Sequence, residues 1–101
     1  MTAAYRQADL RSLALHAAVA EKLDSALVEK AAARVRGWCT EGRRYAAAWS
    51  RLLSAPLPDL RAALVRDDDE MQALRSASPF AGALTPAERW AVIRATSRSP
   101  A

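Results

Sequence analysis

His16 is the only imidazole in the chain, and it is the first place to look for acid–base or nucleophilic chemistry. A serine or cysteine nucleophile would have to lie beside it, with an acid to orient the ring. Ser12 lies one helical turn earlier, a spacing that arises often by chance, and nothing marks an acidic partner. Cys39 is the lone thiol, so no internal disulfide can form, and no Cys/His cluster exists to hold zinc. It reads as a small core residue or a partly exposed thiol. The run Asp67-Asp68-Asp69-Glu70 lacks the glycine and the distal glutamate of a calcium loop and reads as the acidic first turn of a helix. Gly37, Gly42 and Gly82 are too scattered for a phosphate-binding loop. These residues predict no catalytic or metal site, no cofactor and no small-molecule substrate. The expectation is a protein that acts by binding a macromolecule.

The elements that must position such residues are helical. Alanine fills 25 of the 101 positions, while Val, Ile, Phe and Tyr are scarce. Alanine is the best helix former, and β-branched and aromatic residues favour strands. The composition predicts a compact all-α single domain over 1–101, with five or six short helices, no sheet, and flexible ends at 1–8 and 97–101. Asp9 is placed to cap a first helix, with Leu10, Leu13, Ala17 and Ala20 as its apolar stripe, widened by Val19 and Leu23. A second helix runs from Ser25 to about Trp38, and Gly37 or Gly42 should stop it. A third covers Arg44 to about Ser54 and ends at Pro56 and Pro58. A short helix over Asp59 to Val65 and another after the acidic run follow. Pro79 and Gly82 keep the stretch Ser78 to Leu84 from being regular helix. Thr85-Pro86-Ala87-Glu88 is a capping box that starts the last helix. No apolar run at the N-terminus suits a signal peptide, and none approaches the ~20 residues that span a bilayer. A cytoplasmic location with no membrane contact is expected.

Net charge is +4, from 13 Arg and 2 Lys against 11 acidic residues. Residues 25–55 hold six basic and two acidic side chains, whereas residues 56–78 hold three basic and five acidic. A basic middle could meet phosphates weakly through Arg34, Arg36, Arg43 and Arg44, or it could be a solvated face. A helix-turn-helix reading would start its recognition helix Arg44-Tyr45-Ala46-Ala47-Ala48, which offers little hydrogen bonding to base edges.

Two stretches carry a resemblance. Residues 11–23, Arg-Ser-Leu-Ala-Leu-His-Ala-Ala-Val-Ala-Glu-Lys-Leu, are similar to the N-terminal motif of a family of small helical bacterial proteins. Residues 78–90, Ser-Pro-Phe-Ala-Gly-Ala-Leu-Thr-Pro-Ala-Glu-Arg-Trp, resemble that family's C-terminal motif, and the separation of about 55 residues also fits. The family is associated with genes beside AbiEii-type nucleotidyltransferases, where its members look like antitoxins. The resemblance implies a protein that binds a nucleotidyltransferase-fold toxin and covers its active-site groove. The alternatives are a nucleic-acid-binding transcriptional regulator and a non-catalytic helical adaptor. The positions carried over are Arg11, Ser12, His16, Lys22, Ser78, Pro79, Phe80, Gly82, Pro86, Arg89 and Trp90. Arg11, Ser12, His16, Lys22, Phe80, Arg89 and Trp90 are the candidate partner contacts. Each also has a structural reading. Phe80 would plug the core, Gly82 would supply a turn with φ > 0, Trp90 would be the main core anchor, and His16 would bond locally at the edge of the helix packing. Arg11 and Arg89 read as contact residues, because a buried unpaired arginine is costly.

Overall fold

The computed structural model describes residues 2–97, with side chains from residue 8 to residue 96. Residues 98–101 and Met1 lie outside that range, and with them part of the ends expected to be flexible. Among the described residues six helices follow one another: α1 (Thr2–Lys22), α2 (Ser25–Thr40), α3 (Ala46–Leu53), α4 (Leu57–Leu64), α5 (Asp69–Arg75) and α6 (Pro86–Ser97). No strand occurs among the described residues. The radius of gyration is 13.7 Å, as expected for one compact domain of this length.

α1 is the organising element and packs against α4, α5 and α6, while α2 packs on α3 and α3 on α4. α1 begins at Thr2, so Asp9 lies inside the helix and is not its cap. Of the expected stripe Val19, Ala20 and Leu23 are buried and Leu13 and Ala17 half-buried, but Leu10 is not, and His16 joins the buried face. His16, Val19, Ala20 and Leu23 face inward at helical spacing, whereas Leu10 is 40% exposed. The reason is tertiary: the inward face is the one that the segment after α5 covers.

The other helix starts follow the capping chemistry. The Asp24 side chain accepts from Leu27 N–H, so the α2 cap falls one residue before Ser25. Asp68 accepts from Met71 N–H and opens α5. That bond, with a second from Arg66, holds the Asp68 carboxyl below the ordinary carboxylate range. Thr85 and Glu88 form the reciprocal box: Glu88 N–H donates to Thr85 Oγ1 at 3.1 Å, and Thr85 N–H donates to Glu88 Oε1 at 2.8 Å. Between α2 and α3 the chain turns through Gly42 at φ 68° and Tyr45 at φ 71°. Left-handed geometry at Tyr45 is why α3 starts at Ala46 instead of Arg44.

The core centres on Trp49, Leu60, Leu64 and Met71, all fully buried. Trp49 donates its indole N–H to Leu74 O at 3.1 Å and meets Phe80 edge-to-face at 5.9 Å. Trp49, not Trp90, is therefore the tryptophan anchor of the core. Trp90 is 58% exposed, and Trp38 packs half-buried against the core.

Candidate functional site

The two segments 11–23 and 78–90 meet in space. α1 supplies the first. The second begins just after α5 and crosses the inward face of α1 before α6 starts. Pro79 and Phe80 are buried, and they hold the crossing against the core. Ala83 N–H donates to Phe80 O at 3.0 Å and closes a turn with Gly82 third, at φ 84°. Turns of this kind reserve that place for a residue that tolerates positive φ. From the far side, Arg34 Nη1 donates to Pro79 O and Ala81 O at 3.1 and 3.0 Å and fixes the crossing to α2. At the other end Lys22 Nζ donates to Glu88 Oε1 at 2.8 Å, which joins the end of α1 to the start of α6. Lys22 and the Thr85 N–H hold the Glu88 carboxyl below its ordinary range.

His16 lies at the centre of this junction, 7% exposed. Its Nδ1 is 2.8 Å from Ser12 O, and its Nε2 is 2.8 Å from Ser78 Oγ. A carbonyl can only accept, so Nδ1 carries the proton and Nε2 accepts from the Ser78 hydroxyl. Phe80 N–H in turn donates to Ser78 Oγ at 3.1 Å. Burial pushes the imidazole below its ordinary pKa, and the nearby Arg75 charge adds to that, while the Ser12 bond opposes it. Ser78–His16 has the contact of a nucleophile and its base. The third group, however, is a backbone carbonyl, which orients the ring without the charge that would stabilise an imidazolium. With Arg75 opposing protonation as well, the arrangement suits a neutral clamp between α1 and the crossing segment.

Beside the clamp opens a cleft of about 350 Å³. Its walls are Ala8, Arg11, Ser12, Leu15, His16 and Val19 of α1, then Arg75, Ser76, Ser78, Phe80, Ala81, Gly82, Leu84 and Arg89. Arg11 and Arg89 are both exposed at this cleft. Trp90 follows Arg89 on α6 and is exposed to solvent. Of the expected contact residues, then, Arg11, Ser12, His16, Phe80 and Arg89 line one cleft, Lys22 braces it, and Trp90 lies on the helix that borders it. The pairing of His16 with Ser78, 62 residues away, left no local signal in the sequence. Nor did Arg75, a buried cation whose α5 helix reads only as a short amphipathic turn.

The four arginines considered for nucleic acid lie elsewhere and differ among themselves. Arg34 is engaged with the crossing segment. Arg36 is 3.9 Å from Glu29. Arg43 bonds Glu41 and lies 5.5 Å above the Trp38 ring, and Arg44 lies 5.2 Å above Tyr45. Cys39 is exposed. Among the described residues no cluster of three His, Cys, Asp or Glu could hold a metal ion.

The fold and site define a small all-α protein with a cationic cleft built from two distant segments. No protein-family model matches the chain, and neither a curated protein nor a solved structure is detectably similar to it.

Proposed function

We propose that this chain is a non-catalytic binding protein of the antitoxin kind, which silences a nucleotidyltransferase-fold toxin by covering its active-site groove. One observation supports it most. The two segments that resemble the family's motifs form a single surface, and they bring with them side chains that the fold does not use. Arg11 and Arg89 have no ion pair among the described residues, and Trp90 is a large aromatic left exposed. Tryptophan and arginine dominate interface energetics, and an exposed aromatic beside charged groups is a usual interface composition. A partner that binds metal and nucleotides carries an acidic centre, which a surface with free arginines complements. The experiment is co-expression with the product of the adjacent gene, which the reading expects to be a nucleotidyltransferase, followed by affinity co-purification and a growth assay. The complex should survive purification, and the toxin's growth defect should be relieved. A chain that neither co-purifies nor rescues growth contradicts the reading.

A second reading, nucleic-acid binding, rests on Arg36, Arg43 and Arg44 at the end of α2 and the turn after it, all exposed. Affinity would then fall steeply with salt, and replacing Arg43 and Arg44 would weaken binding to all sequences about equally. Absence of a gel shift even at low salt removes it.

A further inference from the structure

Arg75 is 5% exposed, yet no carboxylate lies within ion-pair distance of it among the described residues. Its Nη1 donates to Arg66 O at 2.7 Å and Leu64 O at 3.4 Å, which uses both hydrogens on that nitrogen. Among the described residues the Nε and Nη2 hydrogens have no acceptor. No fully buried side-chain nitrogen or oxygen lacks a partner among the described residues, so these donors reach solvent. The cleft that Arg75 lines is the one between α1 and the crossing segment. The Nε/Nη2 edge of a guanidinium is the fork that takes two oxygens of one oxyanion. Burying a cation with no anion in direct contact is costly, and Arg75 is held in that state by the two carbonyls behind it.

Arg11 and Arg89 share this cleft, and no Asp or Glu lines it. Asp68, bonded to Arg66 outside the cleft lining, feels the Arg75 charge at longer range, but the cleft itself holds no carboxylate. Three positive charges around such a space suit a dianion better than a monoanion, which favours a phosphate over a carboxylate. Leu15, Val19 and Leu84 supply apolar wall. At about 350 Å³ the space falls in the range of small-ligand sites, roughly 300–1,000 Å³. We propose that this cleft binds the phosphate monoester of a small molecule of mononucleotide size, with Arg75 as the buried fork and Arg11 and Arg89 closing on the phosphate from the rim. The ligand is held, not turned over. The site shares Arg11 and Arg89 with the partner reading, but it is measured on the chain alone, so the two fail separately.

The test titrates the full chain with AMP, inorganic phosphate, adenosine and succinate by calorimetry. AMP should bind one to one, and adenosine, the same body without the phosphate, at least about tenfold more weakly. Arg75→Lys keeps the charge and loses the fork, and it should weaken AMP binding by about tenfold or more. If that variant loses its helical spectrum, the double variant Arg11→Ala/Arg89→Ala, changed only at exposed positions, carries the comparison and should also weaken AMP. Adenosine binding as well as AMP, full affinity in a folded variant, or no heat with either phosphate probe up to about 10 mM would overturn the proposal. Succinate displacing AMP at equal concentration would overturn the phosphate assignment and make the cleft a carboxylate site.

Discussion

Arg34, Arg61 and Arg75 each aim a guanidinium at backbone carbonyls. Arg61 reaches Ala20 O and Leu23 O at the end of α1, and Arg75 reaches Leu64 O at the end of α4. The last carbonyls of a helix have no partner within it, and a cation there also suits the dipole. An arginine count in the sequence cannot tell such staples from contact residues, because the acceptors are backbone atoms of another element. That is why Arg34 reads as a phosphate contact in the sequence and is a brace in the fold. Thr85, by contrast, was legible, since its partner Glu88 is three residues away. Thr85→Ala should destabilise by about 0.5–2 kcal/mol in a denaturant titration, and an unchanged midpoint would mean that the cap contributes nothing. His16 gives a pH signature. Burial holds its pKa below the ordinary 6.5, so the unfolded chain takes up the proton more readily than the folded one. Its contribution is complete above the unfolded value and is lost as pH falls below about 6.5 and through the folded value. Unfolding midpoints should drop between about pH 7.5 and pH 5.5, and His16→Gln should flatten that slope. Asp68 and Glu88 titrate at lower pH and leave this window to the histidine.

At the scale of elements, six helices and their order follow from caps, prolines and alanine content. The burial of His16 on α1, and the exposure of Leu10, did not. A stripe read from apolar residues alone finds Val19, Ala20 and Leu23 and extends to Leu10, but the covered face takes in His16 instead, because Ser78 satisfies its ring there. Hydrophobic pattern cannot find a buried polar residue whose partner is 62 positions away. The same limit hid the cleft, whose two walls come from opposite ends of the chain. Gly82 was legible as a turn, and its constraint is purely one of backbone: a methyl group there would meet nothing within 4 Å. Gly82→Ala should therefore destabilise by about 1–2 kcal/mol through its φ of 84° alone. Stability equal to wild type would show that the turn relaxes to another conformation.

For the whole molecule, the core is built from Leu, Ala and a single central tryptophan, and no described helix is long and apolar enough to cross a membrane. Circular dichroism should give a dominantly helical spectrum. The exposed position of Trp90 turns it into a sharp probe of binding, since its loss removes little from the core. Trp90→Ala should leave the spectrum intact and change stability by less than about 0.5 kcal/mol, as exposed substitutions do. The measurement that decides the partner reading is the dissociation constant of the purified complex with the proposed partner, the product of the adjacent gene, for wild type, Trp90→Ala and Arg11→Ala/Arg89→Ala. Both variants should stay folded and bind about 10- to 100-fold more weakly, in line with the loss of an interface anchor or of two charged rim contacts. Wild-type affinity in both variants, or no complex with the unmodified chain, would contradict it.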